Sequence, residues 1–496
     1  MGRGQCHPQF CYTATLNIRK KPPNSMWRYY TGLAVVLFEC VLLVWSSSAL
    51  GSSDDWFATK QYVASGQFAG TSDAAMCQKD KIKSQLTLAD VVDLALCNNP
   101  QTRSLWANSR AQAAQLGSSM SSYLPTLAGP ISIKGTRNNG GGETTDKTIG
   151  VEISYLLYDF GGREANVENA KQVLVAANAT RDETLQGVFL SAVQSYYTFL
   201  SARASVQSYQ IAEAAASKSL DAAQVRYQAG TATQADRLQA QTALSQTVLN
   251  RIRAEGDAAN AQGTLANAMG FDANHPFELA PAPESSPDSV AEQGIGKLLA
   301  EARQNRPDLL AAEAQIKAAE AQLVATKAAG LPSFNLTGGV SRLERQAAGM
   351  TSISHDNSLA VSVSVPWFSG FKDTYKNRAA QAQLEGTVAE RDRLANQIAL
   401  EVWKAYQALL TNSQALRAAD DLVASADQSE KMALGRYKAG VGSILDTLTA
   451  QSTLASAHQQ RVSALYSFQA SKFALAQAIG QLDLTLLGTK TEALHE

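Results

Sequence analysis

Polar and apolar residues alternate strictly in two separate stretches of the chain, residues 126–158 and 333–366. A period of two residues is typical of β-strands that have one apolar and one polar face. Each stretch contains a segment rich in turn formers, at residues 135–147 in the first and around residues 355–357 in the second. We therefore expect two hairpins, with strands of about ten residues, the length of a tilted membrane-spanning strand. An ordinary soluble hairpin, with its apolar face on a protein core, is the alternative.

Long runs with a helical spacing of apolar residues follow both hairpins. Residues 163–229 contain no proline and a single glycine, and residues 372–439 form a second run without proline. A helix of this length would extend about 100 Å. Each run ends in an RY-x-AG turn, where Gly230 and Gly440 are predicted to cap the helix C-terminus. Returning helices are predicted over residues 232–269 and 443–479.

The two halves of the chain share one layout. Pro100 and Pro307 lie 207 positions apart in similar surroundings, and the two RY-x-AG turns lie 210 positions apart. An offset that changes so little indicates a duplicated domain half rather than a short solenoid unit. The predicted organisation is a signal peptide (1–49), an N-terminal extension (50–85), a first repeat (86–270), a proline-rich linker (271–293), a second repeat (294–480) and a C-terminal tail (481–496).

The N-terminus has the composition of an export signal. Four basic residues between positions 19 and 28 precede an apolar run at 32–45, and small residues follow at 47–49. An uncleaved membrane anchor is the alternative, but the run is shorter than the ~20 residues that a spanning helix needs. Beyond residue 49 no stretch of 18 apolar residues occurs, so any membrane crossing would not use helices.

The charge and the residue motifs argue against nucleic-acid binding, metal binding and catalysis. The net charge is −1, so the chain as a whole does not attract nucleic acid. The five histidines lack metal-ligand spacing, and neither a phosphate-binding glycine loop nor a Ser/His/Asp set is found. We therefore predict no enzyme, no cofactor and no metal. Cleavage of the signal leaves Cys77 and Cys97, which favours a disulfide between them over two free thiols in an exported chain.

Four strands with a lipid-compatible face cannot close a barrel, because the smallest membrane barrels need about eight. An open edge in hydrocarbon leaves backbone groups unpaired at a cost of several kcal/mol each. Membrane strands in this chain would therefore require several copies. Two, three or four copies would give 8, 12 or 16 strands. Helices about 100 Å long must also pack side by side, and three chains with four helix-widths each, twelve in all, would enclose a lumen of roughly 25–30 Å.

The order and repetition of these motifs resemble the TolC family of trimeric outer-membrane channels over about residues 86–480. The shared features are the NP- or RP-containing helix of each half, the Leu-Pro exits into the hairpins, the FGGR turn and the paired RY-x-AG turns. The resemblance implies a mainly α fold with a membrane β-barrel portion, in which a trimeric, twelve-stranded barrel is continued by a periplasmic α-helical barrel. It also implies a homotrimer in outer-membrane lipid that serves as the exit duct of a tripartite efflux or type I protein secretion system. Its partners would be a periplasmic adaptor and an inner-membrane transporter.

The resemblance further implies a gate at the periplasmic tip of the helices. The family narrows this entrance with aspartates, and matching through the RY-x-AG turn places the aspartate ring at Asp446. The same match places the family's tyrosine–aspartate latch at Tyr437 and Asp236. A second family aspartate falls on Thr449 and a latch arginine on Gly442, which implies a single carboxylate ring and a looser or different lock.

Simpler roles exist for the same residues. Asp236 and Asp446 lie near the starts of the returning helices, where acidic side chains suit the helix dipole. Tyr437 could serve packing rather than a latch. Arg237, beside Asp236, could also replace the missing arginine.

Three other protein classes fit parts of the pattern: a chemoreceptor-like signalling rod, a periplasmic adaptor, and a soluble coiled coil with the hairpins as caps. A rod would need a second membrane-spanning helix, and an adaptor normally has one helical hairpin. A rod would not place alternating hairpins at matched sites in the two halves.

Overall fold

The computed structural model describes residues 55–63, 85–138, 141–280, 294–347 and 349–483. The predicted signal peptide, Cys77, and most of the N-terminal extension, the linker and the tail lie outside these residues. The predictions for those segments stay predictions.

Helices occur in two matched sets in the described part of the chain. The first set is α1 (Leu88–Asn98), α2 (Pro100–Met120), α3 (Gly162–Gln228) and α4 (Gln234–Ala268), and the second is α5 (Ile295–Asn305), α6 (Pro307–Ala328), α7 (Lys372–Lys438) and α8 (Ile444–Ala478). Corresponding helices have 11 and 11, 21 and 22, 67 and 67, and 35 and 35 residues. The second set therefore repeats the first in order and in length. Short 3₁₀ helices cover Thr59–Tyr62 and Ser121–Tyr123.

A proline begins the second helix of each set. Pro100 and Pro307 occupy the first helical turn, where no intrahelical partner awaits the missing N–H. The preceding Asn99 and Arg306 are extended, with ψ of 127° and 119°, because the proline ring disfavours the α conformation before it. The helical periodicity that begins near Leu88 therefore belongs to two helices rather than one.

The long helix α3 is the centre of the packing. It contacts α1, α2, α4, α6 and α8, whereas α7 packs against α5, α6 and α8. The largest buried cluster lies where α1, α3, α4 and α8 meet, and it includes Phe189, Tyr196, Leu265 and Phe473. Within the described residues, no helix is both long enough and apolar enough to cross a membrane.

Small side chains let the helices approach closely. Six alanines of α6 are buried at alternating spacings of three and four residues, the spacing of a coiled-coil seam. They are Ala311, Ala314, Ala318, Ala321, Ala325 and Ala328. The Asn169 side chain of α3 donates a hydrogen bond to the Ala318 carbonyl at 2.8 Å, which ties the two helices together along this seam.

The strands form one antiparallel sheet. They are β1 (Thr126–Ala128), β2 (Ile131–Asn138), β3 (Gly141–Tyr158), β4 (Ser333–Ala347) and β5 (Met350–Ser364). Both β1 and β2 pair with β3, β3 pairs with β4, and β4 pairs with β5, so the hairpins of the two repeats lie side by side. The register is the same for β1 and β2, so they form one edge strand that is interrupted at Pro130, which has no N–H to donate.

The prediction of ten-residue strands was wrong. β3 has 18 residues and β4 and β5 have 15 each, and the predicted turn at residues 355–357 is paired strand, with His355 opposite Arg342. Most of residues 135–147 is also strand rather than loop. Alternation of apolar and polar residues reveals only the part of a strand that has one apolar face. The backbone hydrogen bonds that define a strand also continue through polar sequence, where no alternation marks them.

One face of this sheet is apolar and exposed. Leu127 is 70%, Ile131 75% and Leu359 79% exposed, and Ile133, Ile149 and Val361 on the same face are exposed aliphatic residues too. The opposite face carries mainly Ser, Thr, Gly and Asn. An exposed apolar face of this extent needs a partner, either lipid or protein.

Candidate functional site

The two turns that join the long helices have the same backbone. Gly230 and Gly440 have φ values of +72° and +77°, in the left-handed region that glycine adopts without strain. The amides of each glycine and of the next residue donate back to the last helical turn, which is the Schellman arrangement. These bonds join Gly230 N to Tyr227 O (3.0 Å), Thr231 N to Arg226 O (2.9 Å), Gly440 N to Tyr437 O (3.1 Å) and Val441 N to Arg436 O (3.0 Å). Both turns therefore end a 67-residue helix sharply and return the chain along it.

In the first turn, the carboxylate of the predicted latch aspartate is hydrogen-bonded within the turn itself. Asp236 forms a capping box with Thr233: its Oδ2 accepts from the Thr233 N–H and hydroxyl, both at 2.8 Å. The Thr233 hydroxyl oxygen in turn accepts from the Asp236 N–H at 3.2 Å. The carboxylate thus satisfies the start of α4, as an acidic residue at this position of a helix does.

In the second turn, the equivalent aspartate is free. Asp446 lies 210 positions after Asp236 and is exposed. Its N-cap, Ser443, accepts from the Leu445 N–H at 3.0 Å instead of forming a capping box. The Asp446 carboxylate forms no hydrogen bond or ion pair with any other described residue. Its carboxylate is therefore available to solvent, to cations or to other copies of the chain.

Tyr437 contacts an arginine of the other repeat rather than the predicted aspartate. The guanidinium of Arg226 lies 4.2 Å from the centre of the Tyr437 ring, a cation–π contact. Its Nη2 also donates to the Lys438 carbonyl at 3.2 Å. Tyr437 is only 6% exposed, and its hydroxyl has no hydrogen-bond partner among the described residues. Within one chain, Tyr437 and Asp236 are therefore not joined.

Sequence reasoning missed Arg226. The RY-x-AG motif contains an arginine in both repeats, but Arg436 is exposed and makes no comparable side-chain contact with described residues. A second bond between the repeats lies two turns away, where the Ser219 hydroxyl donates to Gln451 Oε1 at 3.0 Å. Together these contacts hold the end of α3 against the α7–α8 hairpin.

The position of the family's latch arginine has no room for a side chain. A Cβ at Gly442 would lie 2.9 Å from the Arg436 Cβ and 3.0 Å from the Tyr437 nitrogen. Arg237, the suggested replacement, lies over the ring of Tyr227 in its own turn, 5.8 Å from the ring centre. Near the turns, the contact between the two hairpins of one chain is therefore made by Arg226.

The predicted disulfide is described at one end only. Cys97, in α1, is disulfide-bonded. Cys77 lies outside the described residues, so the pairing of Cys77 with Cys97 stays a prediction.

A polar groove lies partway along the helices, away from the turns. It has a volume of about 720 Å³ and is lined by α3, α4 and α8, including Tyr197, Tyr209 and Tyr466. Burial, followed by the neighbouring Tyr196 and Tyr466, raises the pKa of Tyr197 to about 12, so its hydroxyl stays neutral near neutral pH. Among the described side chains, no three His, Cys, Asp or Glu gather as metal ligands.

Comparisons with known proteins agree with this architecture. The family model described as outer membrane efflux protein matches residues 91–271 and 298–481. Protein CyaE of Bordetella pertussis is 29% identical over 401 residues, which cover 80% of this chain and 84% of CyaE. Outer membrane efflux protein BepC of Brucella suis is 24% identical over 402 residues, covering 81% and 87%. The solved structure of CusC has the same fold, with a TM-score of 0.71 at 21% identity over 79% of this chain and 92% of CusC.

Proposed function

Because the chain belongs to the outer membrane efflux protein family, we propose that it is the outer-membrane exit duct of a tripartite efflux or type I protein secretion system. Substrate would pass from an inner-membrane pump and a periplasmic adaptor through the duct to the exterior. One observation carries the proposal: an exposed apolar sheet is continuous in the chain with two 67-residue helices. The family is one of transport proteins, and a duct of this kind needs no catalytic residue and no cofactor.

The open sheet supports a homotrimer. With β1 and β2 counted as one strand, each chain supplies four strands, and the outer edges of β1–β2 and of β5 lack partners among the described residues. Unpaired edges in lipid cost several kcal/mol per backbone group. Three chains would satisfy these edges as a twelve-stranded barrel, with the apolar face in outer-membrane lipid. The six 67-residue helices of three chains, with the shorter helices packed beside them, would continue the barrel into the periplasm.

The turns at the ends of the long helices would form the periplasmic entrance. Three copies of Asp446 around a narrow axis would repel one another and attract cations. Arg226 would hold the two helical hairpins of each chain together through Tyr437 and the Lys438 carbonyl. Opening would require the loss of these contacts, each worth about 1 kcal/mol.

Reconstitution of the purified mature protein tests the proposal. We expect an oligomer in detergent that resists dissociation by heat and conducts ions across a planar bilayer. Chemical crosslinking should stop at three chains. A monomer that stays soluble in water without detergent would overturn the proposal.

A further inference from the structure

One row on the apolar face of the sheet carries two polar side chains without a described partner, Arg342 and His355, and we propose that this row binds the phosphate group of a lipid headgroup. The proposal rests on the function proposed above, because it takes the apolar face to be the lipid-facing one. The row lies toward the hairpin tips, at the end of the sheet opposite the long helices.

The strand register brings the donors together. Ile149, Arg342 and His355 are direct neighbours on β3, β4 and β5. Residues two apart on a strand share a face, so this row shares the apolar face with Val151, Val340 and Asn357 in the next row. Arg342 and His355 are exposed, and each lies about 7 Å along its strand from the row of Val340 and Asn357. A guanidinium, an imidazole and an amide therefore adjoin where charged side chains first join the aliphatic ones on this face.

Charge pairing distinguishes this row from the rest of the sheet. Within the described residues, neither the Arg342 nor the His355 side chain forms a hydrogen bond or an ion pair. The neighbouring acidic residue of the same face, Glu344, is already bonded to Lys147 at 3.1 Å. On the opposite face, Arg345 is held by both oxygens of Asp146, at 2.8 and 3.0 Å. Arg345 is thus neutralised within the chain, and Arg342 is not.

The position of Arg342 favours lipid over another chain. β4 is paired on both sides, with β3 and with β5, so Arg342 lies away from the edges at which a second copy would add its strands. A cation at the outer boundary of the hydrocarbon lies at the depth of the lipid headgroups. The planar guanidinium matches two oxygens of a phosphate, and the His355 and Asn357 side chains can donate to a third.

Native mass spectrometry of the delipidated full-length oligomer tests the site. The probes are dioleoyl phosphatidic acid, dioleoylglycerol with the same chains but no phosphate, and inorganic phosphate. We expect the wild type to retain phosphatidic acid in preference to dioleoylglycerol. The Arg342→Gln/His355→Gln variant should bind phosphatidic acid about tenfold more weakly, the size expected for loss of a charge-assisted contact. Inorganic phosphate should neither bind at micromolar concentration nor displace the lipid.

Arg345→Gln is the matched control, because it removes a cation from the same strand on the opposite face. The Arg345→Gln variant should retain phosphatidic acid as the wild type does. The Arg342→Lys variant keeps the positive charge but loses the planar guanidinium that can contact two phosphate oxygens, so it should bind phosphatidic acid with intermediate affinity. Equal binding by wild type and double variant, equal loss in Arg345→Gln, or inorganic phosphate that binds as tightly as the lipid would each overturn the site. If the double variant does not assemble, His355→Gln and Arg342→Lys decide the question alone.

Conductance separates this inference from the proposed function. A channel that conducts normally but shows no preference for the phosphorylated lipid would refute the lipid site alone. A protein that neither conducts nor needs detergent would refute the channel itself.

Discussion

The α3–α4 turn and the α7–α8 turn have the same motif, the same left-handed glycine and the same pair of backbone hydrogen bonds. The side chains of the two turns nevertheless make different contacts. In the first turn, Asp236 caps its own helix and Arg226 reaches across to the other repeat. In the second turn, the Asp446 carboxylate has no partner in the described part of the chain, and the Tyr437 ring packs against Arg226.

This difference shows which part of a duplicated element is held constant. The backbone of each turn must reverse a 67-residue helix, so its glycine and its hydrogen bonds are retained in both copies. The side chains are not constrained by that task. One copy can therefore supply the arginine that bridges the repeats while the other supplies a carboxylate without a described partner, and four comparisons test this division of labour.

The largest expected difference between the turns concerns the two aspartates. Asp446→Asn should weaken block of the channel by divalent cations at least about tenfold, because it removes the three charges that the proposed trimer would direct at one axis. Single-channel recording with added Co²⁺ or Mg²⁺ measures the block. Asp236→Asn is the matched control and should leave the block unchanged, although it should lower thermal stability through the cap, by about 1 kcal/mol. Equal loss of block in the two variants would place both carboxylates at the entrance.

The two motif arginines should differ nearly as much. Arg226→Ala should raise the conductance of the closed channel several-fold, because it removes a cation–π contact and a hydrogen bond that together contribute about 2 kcal/mol per chain. Arg436→Ala, at the matching position of the other repeat, should leave the conductance unchanged. Closed-state conductance in a planar bilayer measures both. An unchanged Arg226→Ala channel would show that the closed state does not depend on this contact.

Tyr437 should tolerate loss of its hydroxyl. Because that hydroxyl has no partner among the described residues, Tyr437→Phe keeps the ring under Arg226 and should change the conductance by less than about twofold. Tyr437→Ala should behave like Arg226→Ala. A leaky Tyr437→Phe channel would instead favour a tyrosine–aspartate latch between neighbouring chains.

The smallest effect should be the same in the two turns. A Cβ at Gly230 or Gly440 meets no atom within 4 Å, so alanine costs only the strain of the left-handed backbone, about 1–2 kcal/mol. The melting temperature of the purified oligomer should fall equally in both variants. Gly187→Ala also meets no atom but lies inside α3, and it should raise stability by up to about 1 kcal/mol. Unequal losses at the two turns would contradict their backbone equivalence.

Much of the architecture could be read from local pattern. Absence of proline and the spacing of apolar residues predicted the long helices to within a few residues of Gly162–Gln228 and Lys372–Lys438. Helical periodicity and capping glycines depend on a few neighbouring residues, so they can be recognised in the sequence without knowledge of the fold. Strand length was not visible in this way, because polar segments such as the one around His355 join the ladder through backbone bonds that leave no alternation.

The sequence alone determined the duplicated layout, the two-faced strands and the helix-ending glycines, because each depends on residues close together in the chain. Only the tertiary structure decided that Arg226 rather than Arg436 bridges the repeats, and that Asp236 is engaged while Asp446 is free. The local sequences around the paired residues are nearly alike. What separates them is which neighbour lies within reach once α3 packs against the α7–α8 hairpin, and that is a property of the packing.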